Sequence, residues 1–468
     1  MNHENHRGLA MLLAGAVVLA AASVRADERP SAAVSLVPNF VRFADEHGEF
    51  ASFSLQGGID TRNPFFQDLG SNGRRCSTCH QPDDGWTVTP DKLRLRFLAT
   101  RGNDPIFRPV DGAGCPTANV STVASRLRAY RLLLDKGLIR VGVSPPADSE
   151  FTVLNVDNPY GCERTDEVSV YRRPLPTSNV EYLSTVMWDG RETFKGKSIV
   201  EDLEHQAMDA TLGHAEAKQA PTPEQQQQIV DFELQMFTAQ VRDRRAGELT
   251  AHGATGGPVG ISTTDYFPGI NDPLGLNPTG KAFSPQIFTL FQAWMDQADS
   301  RDPRGKARAA VARGEELFNT LPIRIQGVAG LNDVPLQDGQ VHAVINGFCG
   351  TCHDSPNIGH HSVAAPLNIG VADEANRTAD LPLITLMNRT SGAIVRVSDP
   401  GRALVTGKWA DIGKFKGPIL RALPTRAPYF HNGSAAGLID VVNFYDRRFD
   451  LQLSAQQKED LVAFLGTL

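Results

Sequence analysis

Long apolar runs are scarce in this chain, whose 468 residues contain one such run, at residues 9–22. That run is shorter than the roughly 20 apolar residues that a membrane-spanning helix needs. It follows Arg7 and is followed by small residues up to Ala26, which is the order of an export signal. We therefore predict a signal peptide at residues 1–26, a mature chain that starts near Asp27 in the periplasm, and no membrane span.

A basic excess is also absent, because 46 Lys and Arg residues face 53 Asp and Glu residues, which gives a formal net charge of −7. Nucleic-acid-binding domains owe much of their affinity to clustered positive charge. The acidic balance therefore argues against nucleic acid as a partner, and it is compatible with a small basic protein partner. The sequence does not indicate an oligomeric state.

Cysteine is scarce too, with six residues in the whole chain. Four of the six, each pair followed by a histidine, form two copies of one pentapeptide: Cys76-Ser77-Thr78-Cys79-His80 and Cys349-Gly350-Thr351-Cys352-His353. Cys-x-x-Cys-His is the attachment signature of c-type haem, in which the thiols bind the porphyrin and the histidine binds the iron. We predict two covalently bound haems with His80 and His353 as iron ligands. The alternatives are a zinc site or a thioredoxin-like redox pair.

The two remaining cysteines are Cys115 and Cys162. In an oxidising compartment they are a natural disulfide pair. The alternative is that both are buried free thiols, and the sequence alone leaves the two possibilities open.

The two haem motifs lie too far apart for one small cytochrome fold, so we predict that each sits in its own helical domain. The N-terminal haem domain is predicted at residues 27–245, the C-terminal haem domain at residues 286–468, and a connector rich in Gly and Pro at residues 246–285. The predicted fold class is mainly α, with two tandem cytochrome c-like haem domains, long irregular loops and few short strands.

Capping sequences and apolar periodicity predict the main helices. Thr222-Pro223-Glu224-Gln225 has the form of a capping box. The helix after it is predicted to have one apolar face, formed by Ile229, Phe232, Met236 and Phe237. Residues 306–319 are predicted to form the first helix of the second domain, and a helix capped by Ser454 the last. The strand candidates are short, at residues 138–143 and 393–397.

The sixth position of each iron separates enzymes from electron carriers. After His80 no Met occurs before Met187 and no His before His205, so the first iron is predicted to keep this position open. The alternative is a distant residue that folds over it. His205, His214 and Glu216 form a cluster able to transfer the proton that peroxide cleavage needs. The alternative for this stretch is a solvated surface.

Two further motifs carry a resemblance to a known family. One is Met187-Trp188-Asp189-Gly190-Arg191 followed by Gln206-Ala207, and the other is Arg426-Ala427-Pro428-Tyr429-Phe430-His431-Asn432-Gly433-Ser434. Together with the two haem motifs, and in this order, they make the chain from about Asn63 to its C-terminus resemble the bacterial di-haem cytochrome c peroxidase superfamily. That superfamily also includes the MauG-type enzymes, which modify a partner protein.

The resemblance implies different roles for the two haems. The first is the peroxidatic haem, the second transfers electrons, and Trp188 lies between them as a relay; the alternative for Trp188 is a core aromatic. In the family, a glutamate ten residues after the Gln-Ala glutamine serves as distal acid or base, and counting from Gln206 gives Glu216. We keep His214 beside it and favour His214 slightly, because imidazole titrates near neutral pH.

The chain departs from the family's peroxidases at two positions. Many of them carry a histidine that plugs the resting peroxidatic iron, and residues 94–97 contain none, so prior reduction is predicted to be unnecessary. The usual methionine ligand of the second haem is replaced by Tyr445, and MauG also has tyrosine there. Tyr445 shares a helical face with Leu438 and Val442. It is the predicted sixth ligand, Met387 competes with it, and the third possibility is no protein ligand.

The resemblance also implies a calcium ion between the haems. Arg173 and Arg426 occupy the neighbourhoods of its ligands in this chain, and two cations argue against calcium. His431 resembles a family residue that lies just outside the metal ligands. His360 and His361 are expected to be solvated.

The resemblance and the motifs together imply an oxidoreductase that reduces hydrogen peroxide to water. Its electrons would come from a small periplasmic donor, a cytochrome c or a cupredoxin. The first alternative is a MauG-like, peroxide-dependent oxidation of a protein or organic substrate. The second is a non-catalytic di-haem electron carrier or sensor, which requires six ligands on both irons.

Overall fold

The helices and strands of this chain are mostly short and are joined by long loops. The computed structural model describes residues 36–297, 301–336 and 338–468, so the predicted export signal lies outside the described residues. The eleven α-helices of the described part are α1 (Cys76–Cys79), α2 (Pro90–Thr100), α3 (Val123–Ala129), α4 (Arg131–Lys136), α5 (Ile199–Gly213), α6 (Pro223–Leu234), α7 (Pro258–Ile261), α8 (Pro303–Thr320), α9 (Ala403–Thr406), α10 (Leu438–Phe449) and α11 (Ala455–Leu465). None of them is both long and apolar enough to cross a membrane.

Strands are more numerous than the sequence predicted. The thirteen strands of the described part are β1 (Leu36–Pro38), β2 (Arg42–Ala44), β3 (Gly48–Ser54), β4 (Gly58–Asp60), β5 (Ile139–Val143), β6 (Phe151–Asp157), β7 (Val168–Arg172), β8 (Met236–Asp243), β9 (Gly247–Glu248), β10 (Ile323–Gln326), β11 (Val344–Gly347), β12 (Leu383–Asn388) and β13 (Ile394–Val397). They form five small sheets. Helices account for 31% of the residues and strands for 17%, so the mainly α class is confirmed only in part.

The strand candidates at residues 138–143 and 393–397 are confirmed as β5 and β13. The expectation of few strands was wrong, because strands of two to eight residues offer too short an alternation of apolar and polar residues to be recognised.

The predicted helices are confirmed, with one correction at the end of α6. Thr222 Oγ1 accepts from the backbone N–H of Gln225 at 3.2 Å, and the Gln225 side chain accepts from the N–H of Thr222 at 2.9 Å, so the capping box is present. The helix ends at Leu234. Met236 and Phe237 therefore lie outside its predicted apolar face. They begin β8, which pairs with β3 and buries both side chains completely.

Two other predicted helices, α8 and α11, pack against each other beside the second haem motif. A Cβ on Gly314 of α8 would lie 2.0 Å from the carbonyl oxygen of Asp460 on α11, so this approach requires glycine. Phe318 of α8 places its ring centroid 6.2 Å from the imidazole of His353 and 5.8 Å from the ring of Phe464. This helix pair thus supports the histidine of the second motif by packing.

One sheet joins strands from distant parts of the chain. β6 pairs antiparallel with β12, with Val156 opposite Ile384, and β13 pairs with the other edge of β12. Residues before and after the predicted connector therefore share one sheet. Contacts join Leu36–Leu468 into one compact unit. The domain limits at residues 27–245, 246–285 and 286–468 stay predictions.

The disulfide predicted between Cys115 and Cys162 is confirmed. It links residues separated by 47 positions and lies beside β7. The side-chain amide of Asn158 donates to the carbonyl oxygen of Cys162 at 3.0 Å and to the hydroxyl of Tyr171 at 2.9 Å. The cross-link therefore holds an irregular loop to a buried strand.

Replacing both residues, as Cys115→Ser with Cys162→Ser, is expected to lower the free energy of unfolding by about 2–4 kcal/mol, because the cross-link restricts the unfolded chain. Calorimetric unfolding of the purified protein measures the effect, and the reduced wild type is the matched control. Equal midpoints for the variant and the oxidised wild type would contradict the expectation. Thiol titration of the unfolded wild type should detect two further thiols after reduction.

Candidate functional site

The first Cys-x-x-Cys-His motif begins on α1 and lines a cavity of about 110 Å³. Cys76 and Cys79 are not disulfide-bonded. His80 Nδ1 lies 2.8 Å from the carbonyl oxygen of Trp86. Because a carbonyl oxygen only accepts hydrogen bonds, the proton sits on Nδ1 and the Nε2 lone pair is left for a metal. Burial lowers the pKa of His80 to about 4, so the imidazole is neutral at physiological pH.

The second motif repeats this arrangement on a different local structure. It forms a 3₁₀ turn at Cys349–Thr351, and its two unpaired cysteines and His353 line a cavity of about 220 Å³. His353 Nδ1 donates to the carbonyl oxygen of Gly359 at 2.8 Å, and burial lowers the pKa of His353 to about 4. Each cavity thus combines two free thiols with a neutral, oriented imidazole. These residues fit a c-type haem at each motif.

His214 lines the first cavity at the C-terminal end of α5. Its Nδ1 lies 2.6 Å from Asp111 Oδ2, and Arg74 Nη1 lies 2.7 Å from the same oxygen. Burial alone would raise the pKa of Asp111, but the hydrogen bonds and charges of His214 and Arg74 outweigh it and leave this pKa below its usual value. An ionised carboxylate therefore orients the imidazole of His214.

The other two members of the predicted proton-transfer cluster lie apart from this cavity. Glu216 is exposed, and its Oε2 accepts from the side-chain amide of Asn72 at 2.8 Å. His205 Nδ1 lies 2.7 Å from Glu192 Oε2. Neither Glu216 nor His205 lines the cavity, whereas Gln206 does. Of the three candidates, the structure brings only His214 to the first haem motif.

Tyr445 lines the second cavity together with its predicted helical neighbours Leu438 and Val442 on α10. Burial raises the pKa of Tyr445. Met387 lies on β12 instead, opposite Thr152 on one side and Ile394 on the other, and is not among the residues that line this cavity. Of the two residues that the sequence analysis kept as candidate sixth ligands, only Tyr445 lines the cavity at the second motif.

Trp188 lines the second cavity and forms a hydrogen bond with a residue next to the first cavity. Its indole Nε1–H donates to the carbonyl oxygen of Arg173 at 2.8 Å, and the next residue, Pro174, lines the first cavity. The ring of His431 packs edge-on at 6.2 Å from Trp188, and Phe415 stacks on His431 at 3.8 Å. Trp188 is thus one backbone amide away from the first cavity.

A buried ion network fixes the loop that carries Trp188. Arg172 donates to the carboxylate of Asp189, and its Nε and Nη2 donate to Asp399 at 2.7 and 2.9 Å. Burial would raise the pKa of Asp189, but the charges of Arg172 and Arg191 lower it to about 2. The network ties the residue after Trp188 to the segment after β13.

The buried Arg173 and the half-buried Arg426 occupy the region in which the resemblance implied a calcium ion. Arg173 Nη2 donates to the carbonyl oxygens of Val88, Arg426 and Ala427 at 2.9, 3.3 and 3.4 Å. Burial lowers the pKa of Arg173 and of Arg426 to about 10. Three backbone carbonyl oxygens in this region therefore accept hydrogen bonds from the guanidinium of Arg173. The absence of calcium stays a prediction.

Comparison with known proteins identifies relatives. No family model matches the chain. The chain is 34% identical over 148 residues to the cytochrome-c peroxidase IdrP1 of Pseudomonas sp. (strain SCT), a match that covers 27% of this chain and 38% of that protein. It is 41% identical over 69 residues to the cytochrome c551 peroxidase of Nitrosomonas europaea, covering 14% of this chain and 21% of that protein. Part of the chain is therefore similar in sequence to cytochrome-c peroxidases.

The chain spans little more than a third of the length of the curated protein that it matches over 148 residues. Among solved structures, a MauG-like protein associated with microbial copper homeostasis is 16% identical, with 87% of this chain and 86% of that chain covered and a TM-score of 0.33. The names of the sequence relatives confirm the resemblance drawn from the motifs. Cytochrome-c peroxidases are oxidoreductases.

Two histidines of this chain were expected to be solvated, and that expectation was wrong. His360 is 1% exposed and His361 is 3% exposed. The backbone N–H of Ser184 donates to His360 Nε2 at 3.0 Å, and Ser355 Oγ lies 2.9 Å from its Nδ1. His361 Nδ1 lies 3.2 Å from Asp354 Oδ2. Both ring nitrogens of His360 therefore have polar partners, and Asp354 contacts one ring nitrogen of His361.

Sequence reasoning also missed four titratable residues at the first cavity, namely Arg74, Arg75, Asp111 and Glu233. Glu233 lies on α6, and burial raises its pKa to about 8. Its spacing of four residues from the buried Ile229 would have placed it on the inner helix face. No comparable pattern surrounds Asp111, whose role follows from its contact with His214.

Tyr445→Phe is expected to change the electronic spectrum and the electron paramagnetic resonance signal of the second haem, because phenylalanine keeps the aromatic ring and removes the oxygen. Both spectra should be recorded on the purified ferric holoprotein. Met387→Leu, on β12, is the matched control and is expected to leave both signals unchanged. A signal that responds to Met387→Leu but not to Tyr445→Phe would remove Tyr445 as the ligand.

Proposed function

We propose that this chain carries two covalently bound c-type haems and reduces hydrogen peroxide to water. The observation that carries the proposal is the first cavity, which His80, with its Nε2 left for a metal, and His214, held by Asp111, line together. The electrons come from a small donor protein, a cytochrome c or a cupredoxin. One hydrogen peroxide, two electrons and two protons give two molecules of water.

His214 is the proposed proton carrier. A c-type haem at the first motif supplies an iron that binds peroxide and takes up its oxidising equivalents. His214 Nε2 would take the proton from one peroxide oxygen and deliver it to the other, which leaves as water. The carboxylate of Asp111 would stabilise the imidazolium of His214 between these two transfers. The neighbouring Arg74 favours the ionised form of Asp111. Proton transfer by a positioned side chain typically contributes about 10²–10⁴-fold to a rate.

Trp188 is the proposed route for electrons between the two sites. Its ring lines the second cavity, and its indole N–H holds the carbonyl of Arg173 next to a residue of the first. Indole is flat and oxidisable, so it suits a position between two porphyrins. Arg172 keeps Trp188 in place through Asp189.

Tyr445 is the proposed sixth ligand at the second site. A phenolate oxygen stabilises oxidised iron, whereas a thioether sulfur raises the potential. Tyrosine in the place of methionine therefore lowers the potential of the second haem. The same residue favours a second candidate function, a MauG-like oxidation of a protein or organic substrate, because MauG shares this tyrosine. Product assays separate the two, since a reduced small cytochrome or dye is consumed only in the first.

Export to the periplasm is the proposed location. A disulfide between Cys115 and Cys162 persists in oxidising compartments and is rare in the cytosol. The predicted export signal at residues 1–26 and the two haem-attachment motifs agree with this location.

His214→Ala is expected to lower the peroxidase rate about 100-fold or more, because the proton carrier is removed while His80 stays. Steady-state oxidation of a reduced small cytochrome by hydrogen peroxide measures it. Glu216→Gln is the matched control and is expected to keep the rate near that of the wild type, since Glu216 does not line the cavity.

Electron paramagnetic resonance of the same ferric proteins tests the rival role of an electron carrier. A histidine with Nδ1 on a carboxylate is also the arrangement of many metal ligands. If His214 binds the first iron, the wild type contains no high-spin centre, and His214→Ala creates one. That result would replace the peroxidase proposal with a carrier. A high-spin centre in both proteins supports the proposal.

Trp188→Phe is expected to slow electron transfer from the second haem to the first, because phenylalanine fills the space but is hard to oxidise. Stopped-flow mixing of the reduced protein with hydrogen peroxide follows the second haem directly. Trp409→Phe is the matched control, because Trp409 lines neither cavity. Equal transfer rates in Trp188→Phe and wild type would exclude Trp188 as the route.

A further inference from the structure

A buried cluster of two carboxylates and one imidazole lies outside both haem cavities. Asp272 comes from a loop of the predicted connector, while Asp354 and His361 follow the second haem motif. Their exposed fractions are 3%, 0% and 3%. One ligand atom from each of the three lies within 4.8 Å of the others. None of the three lines the cavity at the second motif.

The hydrogen bonds of this cluster leave its charge uncompensated. Asp272 accepts from two backbone N–H groups at 3.0 and 3.2 Å, and Asp354 accepts from the backbone N–H and the hydroxyl of Ser362 at 2.6 and 3.2 Å. All four donors are neutral. In the described part of the chain no Lys or Arg forms an ion pair with either carboxylate, and the buried Lys416 donates to the carbonyl of Thr185 instead.

Apart from the imidazole of His361, the two buried carboxylates have no partner among the described residues that carries positive charge. Charges buried in proteins are paired or coordinate metals, because leaving them alone in the interior is costly. A divalent cation would supply the missing positive charge.

Two polar atoms at the cluster are buried without a partner. His361 Nδ1 lies 3.2 Å from Asp354, whereas His361 Nε2 has no hydrogen-bond partner among the described residues. The hydroxyl of Tyr266 has no hydrogen-bond partner either. Burial and the charge of Asp354 raise the pKa of Tyr266. Buried polar groups nearly always have a partner, so two unpartnered atoms beside two carboxylates indicate a ligand bound there.

We propose that Asp272, Asp354 and His361 bind one zinc ion, which fastens the predicted connector to the loop after the second haem motif. The donor set selects this metal class. Calcium and magnesium prefer sites made only of oxygen ligands, and copper(I) prefers sulfur. Zinc binds imidazole nitrogen and carboxylate oxygen together and takes four ligands in closed sites. A water molecule would be the fourth ligand.

A second group of similar composition provides the control. Glu192, His205 and Asp209 also place one ligand atom each within 4.8 Å of one another. His205 and Asp209 are not buried, and the hydrogen bond between His205 and Glu192 satisfies that pair. Asp209→Asn therefore removes an exposed carboxylate from a group without unpartnered buried atoms, and it matches Asp272→Asn in chemistry.

Metal analysis of the purified holoprotein tests the site. Inductively coupled plasma mass spectrometry gives zinc per chain, and the pyridine haemochrome assay gives haem per chain. We expect one zinc per chain in the wild type and in Asp209→Asn, and loss of that zinc in Asp272→Asn with the haem content unchanged. Zinc retained by Asp272→Asn would overturn the proposal.

A second measurement does not depend on the folding of a variant. Treating the wild-type holoprotein with a zinc chelator is expected to lower its thermal midpoint, and adding zinc sulfate should restore it, because a ligand of the native state stabilises that state. Asp272→Asn should respond to neither treatment. A wild type that holds no metal beyond haem iron and takes up no zinc in equilibrium dialysis would refute the site.

Discussion

The position of Trp188 between the two cavities depends on the buried guanidinium of Arg172. Arg172 lies at the end of β7 and donates to Asp189 on one side and bidentately to Asp399 on the other. A bidentate contact fixes orientation as well as distance. Removing one partner of such a buried pair typically costs about 3–5 kcal/mol, because the remaining charge stays buried. The loop of Trp188 is therefore held to the segment after β13, and the sheet of β6, β12 and β13 brings that segment to the first half of the chain.

The partner of each cavity histidine distinguishes the roles that we assign to them. His80 and His353 donate from Nδ1 to neutral backbone carbonyls. Burial keeps both imidazoles neutral, and the neutral imidazole is the form that binds iron. His214 instead faces the carboxylate of Asp111, whose Oδ2 lies 2.6 Å from His214 Nδ1. A proton carrier must exist in both forms during one reaction cycle. Within the first cavity, the histidine proposed to bind the metal thus has a carbonyl partner, and the histidine proposed to transfer protons has a carboxylate partner.

The sequence was sufficient for features that are local in the chain. The haem motifs, the capping box at Thr222, the inner face of α10 and the disulfide are each recognisable within a few residues or from the number of cysteines. The pairing of β6 with β12 is not, because nothing in either short strand specifies a partner more than 200 positions away. Asp111 lies 103 positions from His214 in the sequence, and only the folded chain brings the two side chains into contact. His360 and His361 were misjudged for the same reason, since their polar partners include Ser184 from a distant loop.

The two cavities differ in chemistry in the way that a division between proton and electron transfer requires. Arg74, Asp111, His214 and Glu233 line the first, whereas apolar side chains such as Leu438 and Val442 surround Tyr445 in the second. Titratable groups would supply protons where the proposed peroxide cleavage takes place, whereas the second cavity is lined mostly by apolar side chains, with Lys416 and His431 among the exceptions. In such surroundings burial raises the pKa of Tyr445, so its anionic form requires a cation beside it. In the proposed function, a ferric iron would provide that cation, and a ferrous iron would provide less positive charge. The phenolate and an oxidised metal would then stabilise each other, and this coupling would suit the second site to storing an oxidising equivalent rather than to binding peroxide.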